Sequence, residues 1–371
     1  MRLRFHFLTL LISFCLSPQA QDTLSLLFIG DVMQHEPQIT SAYDGVSKTY
    51  EYDHCFKFIR QTMADADITI ANLEVTLAGK PYSGYPMFSA PDALAAALKN
   101  AGVDILVTAN NHTCDKRKKG VIRTLDVLDS LGITHTGSFR NQAEKDQNYP
   151  LLIEEKGFRL ALLNYTYGLN GMPIDPPTKV NMIEEATIKA DVAKAKSMKV
   201  DKVIAFMHWG LEYTHVPSKE QIEAANWLFD SGADIIIGAH PHVLQPMYFI
   251  EKENKEQLLV YSLGNFISDQ RTAPRDGGAM FRMELVRRDG LVFIENPGYV
   301  LTWVWRPTLD GKRRYFVVPA AQYEQGKQMM DTYSHQLMQK YVDKMRALLN
   351  AKNERVNEYQ YTSTDGWVLV E

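Results

Sequence analysis

Two imidazoles stand one residue apart in Gly238-Ala239-His240-Pro241-His242, directly after an apolar run over 233–238. A strand that ends in glycine and then offers two histidines aims both at one point, which suits a metal ion. Alone, a His-x-His pair also occurs in loops whose hydrogen bonds are satisfied. Four more strand ends offer groups of the same kind. Asp31 follows the strand-ending Gly30 and reads either as a metal ligand or as a turn residue. Asn72 and Glu74 follow the run 68–71 and offer a neutral oxygen and a carboxylate; Glu74 is placed to bridge two metals, or is a solvated loop acid. Asn110, Asn111 and His112 follow the run 105–109, with Asp115 close behind. A histidine beside the metals, rather than on them, can protonate a leaving group. The last end delivers His208, then Trp209, Gly210 and Glu212. His35 would join the set if its loop curls back.

Other residues carry weaker signals. Arg271 and Arg275, in the loop after Asn265-Phe266, would clamp a phosphate or carboxylate bidentately, or form a solvated basic loop. Tyr82, Tyr85 and Trp209 would wall a pocket or simply fill core. Cys114 reads as a small buried side chain or a disulfide partner, since the rest of the set is oxygen and nitrogen.

The elements that must position these groups alternate. Apolar runs over 24–30, 68–71, 105–109, 158–164, 202–207, 233–238 and 258–262 predict strands. Helix-period segments fall between them, over 56–63, 90–101, 118–131, 184–198 and 218–230, and the alternation argues for an α/β fold. Residues 278–318 differ: strand-like runs joined by Asp289-Gly290 and Asn296-Pro297-Gly298 predict antiparallel pairing with turns at both places. Residues 320–349 read as helical and the last twenty as polar and loosely held.

The first 20 residues carry Arg2 and Arg4, an apolar stretch over 5–16 and a small residue at Ala20, and predict a cleaved secretory signal peptide. Phe14 before Cys15 argues against a lipoprotein site. The formal net charge is −4, and loss of two arginines with that segment makes it −6; a weakly acidic chain offers no electrostatic footprint for nucleic acid. Cys55 and Cys114 remain, enough for one pair but not for a disulfide framework.

The series Gly30-Asp31-Val32-Met33, Ala71-Asn72-Leu73-Glu74, Ala109-Asn110-Asn111-His112, His208-Trp209-Gly210, Gly238-Ala239-His240-Pro241-His242 and Tyr261-Ser262-Leu263-Gly264-Asn265-Phe266 resembles the calcineurin-like metallophosphoesterase superfamily. Within it, the chain resembles the poly-gamma-glutamate capsule biosynthesis CapA family over about residues 24–281. The resemblance implies a four-layer αββα sandwich with the site at the sheet edge. It implies Asp31, Glu74, Asn111, His208, His240 and His242 as metal-site residues, with His112 as the acid beside them. It further implies divalent metal ions, two in number, of manganese, zinc or iron, and a phosphoester or anionic polymer such as poly-gamma-glutamate as substrate. Membrane capsule-synthesis machinery is the implied partner, and the periplasm or cell surface the location. The expected domains are a signal peptide over 1–20, the metallophosphoesterase-like domain over 21–320, and a C-terminal helix and polar tail over 321–371. Three positions depart from the superfamily: Met33 stands where a histidine is usual, Glu74 where the bridging residue is Asp, and Thr113 where an acid follows the histidine. Those departures leave a second expectation, a non-catalytic factor that binds polymer during assembly or export. A third, an extracytoplasmic nucleotidase, would need an added substrate domain.

Overall fold

The computed structural model describes residues 22–252, 255–324, 329–364 and 366–370, so the expected signal peptide lies outside the described residues. In chain order the main strands of the first half are β1 (Asp22–Val32), β2 (Ile68–Leu73), β3 (Ile105–Val107), β4 (Thr134–Thr136), β5 (Leu151–Glu155), β6 (Phe158–Thr166), β7 (Lys202–His208) and β8 (Ile235–Ala239). They are followed by β9 (Met247–Lys252), β10 (Lys255–Val260), β11 (Asn265–Ile267), β12 (Gly277–Arg288), β13 (Leu291–Trp305), β14 (Phe316–Pro319), β15 (Asn357–Thr362) and β16 (Gly366–Leu369). The longer helices are α1 (Ala93–Ala101), α2 (Arg117–Leu131), α3 (Glu185–Ser197), α4 (Lys219–Ser231) and α5 (Thr332–Lys352).

Among the described residues, one sheet has the order β16-β15-β13-β12-β1-β2-β3-β4, with β11 on β1 and β14 on β13, and the other has the order β9-β10-β8-β7-β6-β5. Side chains alternate along each strand, so every central strand feeds two apolar layers. Leu24, Leu26 and Phe28 of β1 meet Leu160, Leu162, Ile204, Phe206, Ile235 and Ile237 between the sheets. Leu27 and Ile29 point the other way, onto Leu94, Leu98 and Ala101 of α1. On the far side, Ala161, Leu163, Ala205 and Ile236 pack on Ile188 and Val192 of α3 and Ala224 and Leu228 of α4. The layers are therefore helix, sheet, sheet, helix, the αββα sandwich expected. Each fully buried Leu, Ile or Phe in such a layer contributes about 1.5–3 kcal/mol. No helix among the described residues is long and apolar enough to cross a membrane.

Several local expectations change. Asp289 and Gly290 do turn a hairpin between β12 and β13, with φ of 51° and 80°, the twist a two-residue turn requires. Asn296-Pro297-Gly298 does not turn: β13 runs through it as a bulge, with Arg282 opposite Gly298 and Glu284 opposite Glu295, so two residues face one. A bulge accepts both the proline, which has no N–H, and Asn296 at φ 51°. The helix expected over 56–63 is a 3-10 turn (Asp53–Phe56) and a short helix (Arg60–Ala64).

The C-terminal segment is also different from its expectation. The helical stretch splits into Ala320–Tyr323 and α5, and α5 lays Met338, Tyr341, Val342, Met345 and Leu349 on the inter-sheet layer. Beyond it, β15 and β16 form a hairpin that extends the larger sheet through β13. Tyr359 is buried with Oη donating to Asn296 O, and Trp367 Nε1 donates to Thr62 Oγ1, so two aromatics hold a tail whose composition is polar. Cys55 and Cys114 are both free and buried, in separate apolar clusters, and are not a disulfide pair. Burial pushes the Cys114 thiol up to about 11.

Candidate metal centre

The carboxyl ends of β1, β2 and β3 in one sheet and of β7 and β8 in the other meet at a shared edge. Each donor reaches that edge for a local reason. Inner-facing residues of β1 have even numbers, so an uninterrupted strand would turn Asp31 outward onto the helices. The register prevents this: Ile29 pairs with Ala71 but Asp31 pairs with Asn72, so Gly30 is an extra residue that turns Asp31 inward. Gly30 is needed there because a Cβ would lie 2.2 Å from Gly264 O. Asn72, Glu74 and His208 have the inward parity of their own strands and need no such device. Val32 and Met33 fall in the outer apolar cluster, so the side chain at the usual histidine position is part of the core and not of the site.

The pair that ends β8 is held in a strained turn. His240 has φ 99° and His242 φ 56°, the left-handed region that costs a non-glycine residue about 1–2 kcal/mol each. Tyr213 N donates to Pro241 O at 2.8 Å, and His240 N lies 3.3 Å from both Asp31 carboxylate oxygens. Gly238 lets this turn approach its neighbours, since a Cβ would meet Tyr261 O at 2.0 Å and Trp209 Nε1 at 2.5 Å. Gly238→Ala is expected to cost at least about 3 kcal/mol because the obstacles are a backbone carbonyl and a buried indole. Urea denaturation measures this, and a loss under about 0.5 kcal/mol would show that the strand end yields.

The side chains form one connected cluster. Asn72 Nδ2 donates to Asp31 Oδ1 at 2.8 Å and lies 3.2 Å from His208 Nδ1. His208 Nε2 faces Asn111 Oδ1 at 3.0 Å and Glu74 Oε1 at 3.5 Å. His242 Nδ1 is 3.0 Å from Asp31 Oδ2, and its Nε2 is 3.8 Å from Glu74 Oε1. The Tyr167 ring lies 4.5 Å from that of His240, tilted by 40°. Beside the cluster, His112 Nδ1 is 2.8 Å from Asp115 Oδ2, which also accepts from Phe88 N at 2.7 Å, and the Phe88 ring meets the His112 ring edge-on at 4.6 Å. Asp115 thus orients His112 from three residues away, the place where Thr113 offers no acid.

The electrostatics divide two neighbouring carboxylates. Burial pushes Asp31 up, but hydrogen bonds and charge from His242, with Asn72 and His240, outweigh it and hold Asp31 below its ordinary value. Burial and the charge of Asp31 drive Glu74 well above the carboxylate range. Burial and the neighbouring imidazoles hold His208 far below the histidine range and push His240 down to about 3. Both Glu74 carboxylate oxygens and His240 Nδ1 are buried without a hydrogen-bond partner. Buried polar atoms rarely stay unpaired. Two triads, Asp31/Glu74/His208 and Glu74/His240/His242, each bring ligand atoms within 4.8 Å of one another. A carboxylate flanked by imidazoles and orphaned on both oxygens suits a divalent cation.

All seven predicted site residues other than the arginines converge here. The arginines separate. Arg275 sits over the Tyr213 ring at 4.3 Å, and Tyr213 is 6.1 Å from the His242 ring, so Arg275 borders the centre. Arg271 is exposed and engaged by Asp269 at 2.8 Å. His35 caps the short helix Glu36–Ala42 and packs edge-on against Phe88 at 5.5 Å, so its loop does not curl into the donor triads. Tyr85 is exposed, Tyr82 packs on Tyr50, and Trp209 is buried with Nε1 bonded to Tyr261 O. Tyr167 was not predicted, and Asn72 was not assigned to the metal site; Tyr167 directly follows β6, and Asn72, near the end of β2, shares its motif with Glu74.

The layer order and the cluster of nitrogen and oxygen donors at the joint sheet edge define an αββα protein with a candidate metal site. A family model described as bacterial capsule synthesis protein PGA_cap matches residues 25–270, and the chain belongs to that family. It is 28% identical over 288 residues to the capsule biosynthesis protein CapA of Bacillus anthracis, covering 74% of this chain and 66% of that one. It is 29% identical over 274 residues to the PGA biosynthesis protein CapA of Bacillus subtilis, covering 68% and 65%. The chain thus spans slightly less than two thirds of the length of these relatives. Among solved structures it is similar, at TM-score 0.44 and 14% identity over 88% of this chain and 98% of the other, to a calcineurin-like phosphoesterase of Bacillus subtilis.

Proposed function

We propose that the protein is an exported metal-dependent hydrolase of the phosphoesterase type that acts on a capsule or other surface polymer. The observation that carries this reading is Glu74, buried, orphaned on both oxygens and common to two donor triads. Asp31, Glu74 and His208 would hold one divalent cation, with Asn111 beside His208, and Glu74, His240 and His242 a second. Such cations supply Lewis acidity at an anionic oxygen and a water nucleophile at neutral pH. The chain's own groups do the rest. Asn72 fixes the Asp31 carboxylate, and Tyr167 packs on the His240 ring. His112, held through Nδ1 by Asp115, donates a proton from Nε2 to the leaving group. Arg275 lends charge to an anionic substrate at the rim. Export rests on the character of residues 1–20, the polymer on the capsule family to which the chain belongs, and a membrane synthesis machinery is the partner such a role calls for.

Metal analysis of purified protein, before and after resupply with manganese, zinc or iron, tests the reading. Two equivalents per chain and a gain of phosphodiester or related hydrolytic activity are expected. Fewer than one equivalent with every metal, or no gain on any ester or capsule polymer, would remove it. One observation favours a second reading, a polymer-binding factor without turnover: Met33 lies in the apolar layer, one nitrogen donor fewer than the superfamily's usual site. Undiminished polymer production by a folded chain lacking both His240 and His242 would favour it.

A further inference from the structure

A cavity of about 370 Å³ opens beside the metal centre, over the carboxyl edge of the smaller sheet. Tyr167 belongs to both: it lines the cavity, and its ring lies 4.5 Å from the His240 ring. Trp209, Gly210 and Leu211, the residues immediately after His208, form the adjacent wall. The two remaining walls differ in chemistry. One is ring and aliphatic surface, with Trp227 and Ile183 part-buried against the apolar layer between the smaller sheet and α3 and α4. The other is the first turns of α4, where Glu220 and Glu223 line the space and Lys219 pairs with Glu223 at 3.4 Å.

From this arrangement we infer that the cavity is a binding subsite for an uncharged, hydroxyl-rich ring, a sugar unit of the substrate, next to the bond that reacts. Three physical points support the assignment. A sugar ring has an apolar face of C–H bonds that packs on an indole or phenol face, as Trp227 and Tyr167 offer. Its hydroxyls are donors, and carboxylates accept from them in charge-assisted hydrogen bonds, as Glu220 and Glu223 offer. A chain bearing a carboxylate on every unit would instead place like charges against those two glutamates. The space itself is in the size range of small-ligand pockets. The inference deepens the hydrolase reading by naming the substrate's chemistry: the polymer or its precursor carries sugar on this side, and is not a polyanion along its whole length.

The test is titration of the metal-loaded protein, followed by intrinsic tryptophan fluorescence, with neutral tetrasaccharides of glucose and of N-acetylglucosamine and with a tetramer of γ-linked glutamate. A neutral tetrasaccharide is expected to give a saturable change and the glutamate tetramer none. Trp227→Ala should weaken the tetrasaccharide about tenfold or more. Because Trp227 also packs on the apolar layer beneath α3 and α4, the double variant Glu220→Gln with Glu223→Gln is read alongside; both sites are at the surface, and a severalfold weakening is expected. Three results overturn the inference: no neutral saccharide saturates, the glutamate tetramer binds in a Trp227-dependent way, or saccharide binding survives both variants unchanged. Metal equivalents are counted on the same samples. Full metal content without saccharide binding removes the subsite and leaves the hydrolase reading standing, whereas loss of metal from wild type removes the latter.

Discussion

Glu74→Gln is expected to reduce bound metal from two equivalents to one or none and to lower turnover by at least about a thousandfold, the scale of losing a preorganised electrostatic element in a water-excluded site. The amide has nearly the shape of the carboxylate but cannot serve two cations, so the loss separates bridging from packing. Stability gives an independent readout. In metal-free protein the Glu74 carboxyl is buried, next to Asp31, with neither oxygen hydrogen-bonded. Removing that acid relieves an unfavourable group, so metal-free Glu74→Gln should melt no lower than metal-free wild type. Wild type should gain about 2.7 kcal/mol from metal supplied at a hundred times its dissociation constant, and the variant far less. Differential scanning calorimetry with and without chelator measures both. If chelation leaves the wild-type melting temperature unchanged, or the variant keeps two equivalents and full activity, Glu74 is a structural acid.

His112→Ala is expected to lower turnover about 10²- to 10⁴-fold, the usual range for one general acid, while metal content stays at the wild-type value. The contrast with Glu74→Gln follows from position: His112 lies outside both donor triads, and its Nδ1 is committed to Asp115. A leaving group that needs no proton, such as p-nitrophenolate, should recover much of the loss. Asp115→Asn tests the orientation separately. It keeps the shape but no longer favours the tautomer with the proton on Nδ1, and should cost about 10- to 100-fold with an altered pH profile. Equal losses on activated and unactivated esters, or loss of metal in either variant, would contradict the acid role.

The donor types and their order along the chain were legible without coordinates because each stands where an apolar run stops. Those apolar runs also announced the strands, and the α/β alternation announced the layers. The missing histidine at Met33 was visible as a departure, though not its consequence, a side chain turned into the outer core. Other features left no such trace. The polar tail became two strands because Tyr359 and Trp367 found hydrogen-bonding partners 63 and 305 residues away in sequence. Arg271 and Arg275 look alike in the chain, and only their neighbours, Asp269 for one and Tyr213 for the other, distinguish them.

By itself, then, the sequence determined which groups are present and that they sit at strand ends. Tertiary structure decided that they form one centre. Asp31 faces its partners only because a bulge at Gly30 reverses its parity, and a bulge exists only in the pairing with a second strand. His240 and His242 hold positive φ only because Asp31 and Tyr213, from other elements, fasten the turn. The orphaned oxygens of Glu74 acquire meaning when two sheets, remote in sequence, bring imidazoles to within 3.5 Å and 3.8 Å of the same atom. Convergence of that kind depends on register and on the packing of one sheet against the other, and neither is encoded in any single stretch of the chain.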